Sequence, residues 1–224
     1  MTASACFTPS RLRLGALCLG AACLAGALSA CAPLVIGGAM AGGAMVATDR
    51  RTSGAQLEDQ GIELRATNRL RDVLGDRGNV SITSYNRQVL LTGEVANEAD
   101  KALVEKTVAG VENVRTIVNE LAVLGASSLT QRSADTLTTG RVKAAMVDAR
   151  DLSSNAFKVQ TTRGTVYLMG RVTQREADRA TDITRNTSGV QRVVRVLEII
   201  SEEDLARMLP QATPAPVKDA TPAK

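Results

Sequence analysis

Apolar and polar residues alternate in two short stretches of the chain that resemble each other. The first is VLLTGEV at 89–95, and the second is VYLMGRV at 166–172. Every second position holds a matching residue, so that Val89, Leu91, Gly93 and Val95 correspond to Val166, Leu168, Gly170 and Val172. This alternation is typical of a β-strand with one buried face. Its recurrence indicates two copies of one domain.

Each copy predicts the same order of elements. An amphipathic helix opens the copy, over 56–74 and again over 134–149, and a short alternating strand follows. The strands are marked by Val80 and Ile82 in the first copy and by Phe157 and Val159 in the second. A turn, YNRQ or TRGT, leads to the apolar strand, whose glycine allows a close approach of another backbone. A second helix and a last strand complete an αββαβ unit.

The ends of the second helix also have recognisable signals. Asn97 is a candidate N-cap in the first copy, and Thr173 with Glu176 forms a capping box in the second. Gly110 and Gly189 are expected to end these helices in the left-handed conformation. Pairing Ala99-Asp100 with Ala177-Asp178, and Gly110-Val111 with Gly189-Val190, makes the offset between the copies drift from 77 to 79 residues.

The N-terminal 30 residues predict a cleaved export signal. Arg11 and Arg13 precede an uncharged, small-residue stretch that ends in LSAC at 28–31. This ending resembles a bacterial lipobox, which implies cleavage before Cys31, lipidation of its thiol and acylation of the new N-terminus. Ala32 at the next position implies sorting to the outer membrane, on its periplasmic face. An ordinary signal peptide or a single membrane anchor with an incidental cysteine is the alternative.

The remaining domain boundaries follow from composition. We expect a Gly/Ala-rich tether over 31–53, domains over 54–124 and 133–201, a linker over 125–132 and a disordered Pro/Ala-rich tail over 202–224. The apolar part of the tether, 32–47, is shorter than the roughly 20 residues that span a bilayer as a helix.

Composition narrows the chemistry. The chain has no histidine and no tryptophan, and three of its four cysteines lie in the predicted signal. The fourth is Cys31, so that a lipidated mature chain has no thiol for catalysis, disulfides or metal binding. The mature chain has 25 basic and 23 acidic residues. This near-neutral balance argues against nucleic acid as a partner. No catalytic residue, metal site or cofactor is predicted.

Taken together, the duplicated αββαβ order, the strand glycine and the GV..V turn resemble BON domains. Behind a lipobox, they resemble the dual BON-domain lipoproteins of Gram-negative bacteria. The likeness covers about 54–200 and implies an α+β fold with two tandem BON-type domains, each a three-stranded sheet packed by two helices. It also implies a non-enzymatic role in outer-membrane integrity, binding of anionic phospholipid through the second domain, and association with the β-barrel assembly machinery or division-site proteins.

The residues themselves separate the two domains by charge. Residues 54–124 hold eight bases and eleven acids, a net charge of −3, whereas 133–200 hold eleven bases and seven acids, a net charge of +4. Each base near an anionic surface contributes roughly 1 kcal/mol to binding. Only the second domain therefore has a useful surplus of positive charge.

The helix that opens the second domain has two contrasting faces. Its predicted core stripe is Thr138, Val142, Ala145, Met146 and Ala149. The opposite face is weakly apolar and basic, with the candidate phospholipid-binding residues Leu137, Gly140, Arg141, Lys143, Ala144 and Val147. The matching face of the first domain is polar. Close relatives place an aromatic residue where this chain has Leu137, which implies a weaker membrane contact.

Three interpretations of this face remain open at the level of sequence. It binds anionic membrane, it packs on the first domain, or its apolar residues are scattered exposed side chains without a role. The alternative function is that of a periplasmic adaptor for envelope or β-barrel assembly machinery, using the acidic first domain or a free strand edge.

Overall fold

The computed structural model describes residues 49–208. The predicted signal peptide, Cys31, most of the predicted tether and the tail from 209 onward lie outside the described residues. The described chain carries two successive αββαβ units and a short final helix.

The first unit is built from α1 (Ser53–Leu74), β1 (Gly78–Tyr85), β2 (Gln88–Val95), α2 (Glu98–Ala109) and β3 (Thr116–Val123). The second comprises α3 (Leu129–Asp148), a 3-10 turn (Ser154–Ala156), β4 (Phe157–Thr162), β5 (Thr165–Val172), α4 (Gln174–Arg185) and β6 (Arg192–Ile199). Helix α5 (Glu202–Met208) follows. In each sheet the central strand pairs antiparallel with the strand before it and parallel with the strand after it.

Each sheet packs one face on its two helices. In the first domain the alternating residues of β2 meet the buried stripe of α1, and the core includes Ile62, Ala66, Leu70, Val89, Leu91, Val104 and Val108. The second core repeats this pattern with Val142, Met146, Val159, Val166, Leu168, Ala177 and Ala180. The apolar periodicity of the sequence therefore matches the pattern of burial. Apolar residues at every second strand position and on one side of each helix all face the core.

The strand glycines have the role that the sequence suggests. A Cβ at Gly93 would collide with the backbone carbonyl oxygen of Asn79, and a Cβ at Gly170 would collide with that of Ala156. Gly93 thus lets β1 lie close against the central strand β2, and Gly170 lets the turn that leads into β4 lie close against β5. Gly93 also has a φ of 114°, which favours glycine.

A buried aspartate on each opening helix fixes the hairpin turn of its domain. Asp59 is 1% exposed and accepts hydrogen bonds from the Ser84 hydroxyl and from the amides of Asn86 and Arg87. Its counterpart Asp135 accepts from the turn amides at 163 and 164, at 2.8 and 2.9 Å. Both turns are two-residue turns with positive φ at both positions. In the sequence these aspartates stand out only as part of the net charge of their domains.

The second faces of the two sheets pack against each other. Tyr85, Leu90, Tyr167, Met169 and Val196 form one buried cluster drawn from both domains. Ion pairs surround this cluster: Lys158 with Glu63, Arg163 with Glu94 and Arg192 with Glu120. The apolar runs of β2 and β5 are explained by this arrangement, since a strand buried on both faces does not alternate.

Several sequence predictions are wrong in detail. Helix α3 begins at Leu129, with Ser128 as its N-cap, so the last four residues of the predicted linker 125–132 are helical. The first seven residues of the predicted tail form α5, because Leu205 is buried. Residues 49–52 of the predicted tether are placed on the folded domains, as described below.

The alignment of the two copies also needs correction. Asn97 caps α2 and Thr173 with Glu176 forms the predicted capping box. The third helical residue of α2 is then Asp100, which corresponds to Glu176 and not to Asp178. Gly110 ends α2 in the right-handed conformation, and Gly189, with positive φ, lies three residues beyond the C-cap of α4. The drift in the offset is therefore an artefact of matching similar letters.

Candidate functional site

Helix α3 presents the predicted binding face to solvent. Its buried stripe is Thr138, Val142 and Met146, each 3% exposed or less, as the periodicity requires. The six predicted phospholipid-binding residues, Leu137, Gly140, Arg141, Lys143, Ala144 and Val147, are all exposed. Leu137 is 61% exposed and Val147 is 66% exposed. The first domain does not cover this face, because it packs on the sheet at the other side of the second domain. Phospholipid binding by these residues stays a prediction.

Ion pairing concentrates the free positive charge of the second domain on this helix. Eight of its eleven bases form ion pairs within the described residues, namely Lys158, Arg163, Arg171, Arg175, Arg179, Arg185, Arg192 and Arg195. The three without an ion pair there are Arg141, Lys143 and Arg150, on α3 or two residues after it. Asp148 is the one acid of α3 that is exposed. Asp151, just after α3, pairs with Arg179, so residues 139–151 carry three free bases and one free acid.

Gly140 leaves a flat spot in the middle of the face. A Cβ built there meets no other atom within 4 Å, so packing does not require glycine. Glycine in an exposed helix interior costs about 1 kcal/mol relative to alanine. A residue that lowers helix stability without a packing reason is the kind of local inconsistency that functional sites carry.

The segment before α1 is bound to both domains, which sequence analysis missed. Arg50 donates to both carboxylate oxygens of Glu176, at 2.7 and 2.6 Å, and to the carbonyl oxygen of Arg171, at 2.9 Å. The next residue, Arg51, pairs with Asp59 at 2.8 Å and lies over the ring of Tyr85, 4.2 Å from its centroid. No sequence pattern indicated these contacts, because two arginines before a helix read as solvated charge.

Glu176 is ionised in this setting. Burial disfavours the charged carboxylate, but the hydrogen bonds from Arg50 and from the Thr173 amide outweigh burial. Together they hold the pKa of Glu176 below its ordinary value. The carboxylate therefore serves two purposes: it accepts the capping-box hydrogen bond at the start of α4, and it forms the ion pair with Arg50.

A polar cleft of about 410 Å³ lies between the domains, beside the N-terminal half of α3. Glu94, 1% exposed, lines it and accepts hydrogen bonds from Ser127 and Asn79. Burial disfavours ionisation of Glu94, but these bonds outweigh it and keep the pKa of Glu94 below its ordinary value. The groups lining the cleft are largely bonded to one another, so the cleft serves the domain junction.

Two general properties of the described region bear on function. Within residues 49–208, no helix is long and apolar enough to cross a bilayer. The same residues contain no group of three or more acidic, histidine or cysteine side chains placed to hold a metal ion.

Comparison with known proteins settles the family. The family model described as BON domain matches residues 59–125 and again 134–201. The chain belongs to the BON-domain family. The α+β fold with two tandem BON domains, expected from the sequence, is thereby confirmed.

Three relatives place the chain within this family. It is 39% identical over 158 residues to the outer membrane lipoprotein DolP of Haemophilus influenzae. The aligned region covers 69% of this chain and 81% of that protein. It is 29% identical over 154 residues to the 21 kDa hemolysin of Actinobacillus pleuropneumoniae, covering 68% and 79%. It is 33% identical over 118 residues to the osmotically-inducible protein Y of Escherichia coli, covering 51% and 59%. The likeness to DolP confirms the outer-membrane location expected for this BON-domain protein.

Proposed function

We propose that this protein is a non-enzymatic lipoprotein, anchored at Cys31, that binds anionic phospholipid through the exposed face of α3 and so supports outer-membrane integrity. The observation that carries the proposal is the coincidence of exposed apolar side chains with unpaired bases on one helix face. Helix α1 also exposes leucines and two bases without an ion pair among residues 49–208, Arg69 and Arg71, but the exposed acid Asp72 adjoins Arg71. Helix α3 combines its exposed apolar side chains with a surplus of free positive charge.

The physical basis is interfacial binding by a short amphipathic surface. Arg141, Lys143 and Arg150 each contribute roughly 1 kcal/mol near an anionic leaflet. Leu137 and Val147 each add up to about 1.5–3 kcal/mol if fully buried at the headgroup level. The resulting affinity is modest for a free domain. It becomes effective when a lipid anchor makes the contact intramolecular and raises the local concentration of membrane.

The proposal is non-enzymatic because the chain lacks the usual catalytic groups. It has no histidine, and the only cysteine after the predicted signal is the one proposed to carry lipid. Apart from the exposed Asp148, the acidic side chains in and next to α3 bind the hairpin turn or form an ion pair.

Flotation with vesicles tests phospholipid binding without the anchor. The unlipidated fragment 48–224 is mixed with vesicles of pure phosphatidylcholine or with vesicles that also contain phosphatidylglycerol. We expect it to float only with the anionic vesicles and to be released by salt. Lys143→Glu and Leu137→Glu should each reduce floating protein at least fivefold.

Arg185→Glu is the matched control, because it makes the same charge change in the same domain at an exposed residue that is ion-paired with Asp182. It should change flotation less than twofold. Equal losses for Lys143→Glu and Arg185→Glu would show that net charge, and not the α3 face, governs binding. Absence of wild-type flotation would refute phospholipid binding and make the adaptor role the better account.

A further inference from the structure

Arg50 has the contacts of a docked side chain. It is 5% exposed as a side chain, and its partner Glu176 is 4% exposed. The guanidinium makes a two-pronged contact with one carboxylate and a third bond to a backbone carbonyl. A buried charged group held in this way is well ordered, since three hydrogen bonds restrict its rotamers.

Arg51 continues the contact into the other domain. Its guanidinium binds Asp59, the buried aspartate of α1, and lies over Tyr85 in the interdomain cluster. Two consecutive residues thus bind different domains, Arg50 the second and Arg51 the first. We name the pair Arg50–Arg51 the clasp.

The clasp lies at the end of the second domain where α3 ends. The carbonyl that accepts from Arg50 belongs to Arg171, and the preceding Gly170 lies against Ala156. Ala156 closes the short connection that leaves the C-terminus of α3. The free bases Arg141, Lys143 and Arg150 lie in or just after the C-terminal half of that helix.

We propose that the clasp is an intramolecular docking site that fixes where the chain from Cys31 joins the folded region, at the α3 end of the second domain. The consequence for membrane binding rests on the proposed function: the anchor and the basic half of α3 then approach the bilayer from the same end of the molecule. The 19 residue steps from Cys31 to Arg50 span at most about 65 Å when fully extended. This length leaves the α3 face within reach of the leaflet that holds the lipid.

Proteolysis tests the docking without any membrane. Trypsin cleaves after arginine, so an undocked clasp is a substrate and a docked one is protected. The mature chain carrying Cys31→Ala is compared with the same chain carrying Glu176→Gln, which keeps a capping-box residue and both cleavage sites. We expect cleavage after Arg50 or Arg51 to become at least tenfold faster in the variant.

Two controls separate docking from general unfolding. Glu202→Gln removes an exposed ion pair with Arg175 by the same chemical change and should leave the rate unaltered. Cleavage after Arg185, inside the second domain, should also stay slow in Glu176→Gln. Equal cleavage after Arg50 and Arg51 in the wild type and in Glu176→Gln would overturn the docking site.

A fluorescence experiment tests the consequence for the membrane. Because the chain has no tryptophan, a single Ala144→Trp substitution makes α3 report its own depth. The full lipidated chain is placed in anionic vesicles with brominated acyl chains, which quench an inserted indole. Arg50→Ala should reduce quenching at least threefold, Arg50→Lys should reduce it less, and Arg77→Ala, which removes an ion pair within the first domain, should not reduce it.

The outcomes distinguish this inference from the proposed function. No quenching in the chain with an intact clasp refutes membrane binding by α3, whatever trypsin shows. Quenching that is equal with Arg50→Ala and with an intact clasp refutes the positioning role of the clasp and leaves membrane binding by α3 standing.

Discussion

Helices α1 and α3 occupy equivalent places in two copies of one fold, and both expose apolar side chains. Leu57 and Leu64 on α1 are 68% and 63% exposed, close to the values for Leu137 and Val147 on α3. The first-domain helix is therefore less polar than its sequence indicated. Exposed apolar area alone does not distinguish the two domains.

The difference lies in the balance between free basic and free acidic side chains. On α1, Arg65 pairs with Glu58 and Arg69 donates to the carbonyl of Gly110. The third base, Arg71, has no ion pair among residues 49–208, but the exposed acid Asp72 follows it. On α3, Arg141 and Lys143 have no ion pair among residues 49–208. On the C-terminal part of α1 and just after it, the bases without an ion pair, Arg69 and Arg71, are balanced by the exposed acids Asp72 and Asp76, whereas on α3 the free bases outnumber the exposed acids. This local balance of free charge, which the net charge of a domain does not report, decides which surface can attract an anionic membrane.

The largest expected effects concern the buried aspartates. Asp59→Ala should lower the free energy of unfolding by about 3–5 kcal/mol, because it removes one of the two carboxylate partners of Arg51 and the acceptor of two turn amides. Within the described part of the chain, Asp135 accepts hydrogen bonds only from uncharged groups, so Asp135→Ala should lower the free energy of unfolding by less, about 2–3 kcal/mol. Urea unfolding followed by circular dichroism measures both. A larger loss for Asp135→Ala would contradict the ranking.

The capping residues of α2 and α4 give a second comparison. Arg50→Ala leaves buried Glu176 without its cation and should cost about 2–4 kcal/mol. Arg77→Ala removes the partner of Asp100, but Arg77 is 52% exposed as a side chain, so we expect a loss of at most about 1 kcal/mol. Urea midpoints of the two variants should differ accordingly, and equal midpoints would show that Arg50 is not docked.

Adding positive charge to α1 tests whether free charge explains the difference between α1 and α3 in membrane binding. Thr67→Lys with Asp72→Asn adds two units of positive charge beside the exposed Leu64. At roughly 1 kcal/mol per charge, two charges correspond to about 30-fold in affinity, so flotation with anionic vesicles in a Lys143→Glu background should recover at least tenfold. The same pair of changes should have no effect on neutral vesicles. Failure to recover binding would mean that a feature of α3 other than free charge is required.

Acid should weaken the attachment of the clasp. The folded-state pKa of Glu176 is depressed, so its stabilisation is present above the unfolded value of about 4.5 and is lost as pH falls through the folded pKa. The difference in unfolding free energy between wild type and Glu176→Gln should therefore be largest at pH 7 and shrink below pH 4. A difference that is constant from pH 7 to pH 3 would contradict an ionised Glu176.

The smallest effect is a gain. Gly140→Ala should stabilise the protein by about 0.5–1 kcal/mol, because a Cβ meets nothing there. Gly61→Ala, at the equivalent place of Leu137 on α1, should gain less, because its Cβ would lie 3.0 Å from the Arg65 guanidinium. Thermal unfolding of the two variants measures the difference. A loss of stability in Gly140→Ala would show a packing role for this glycine.

Sequence patterns predicted much of the local structure. Period-2 and period-3.6 burial, the caps at Asn97 and Thr173, and the close approach at the strand glycines depend on neighbours along the chain or within one hairpin. The exposed face of α3 also followed from its periodicity. These features are local, and the chemistry of each residue specifies them directly.

The sequence by itself determined two copies of an αββαβ unit and the solvent side of each helix, because repetition and periodicity are properties of the chain. Only the tertiary structure decided that the sheets stack back to back, that Arg50 binds Glu176 across 126 positions, and that three bases of the second domain stay unpaired. The physical reason is that an ion pair depends on distance in space. Opposite charges far apart in the sequence give no periodic signal until packing brings them together.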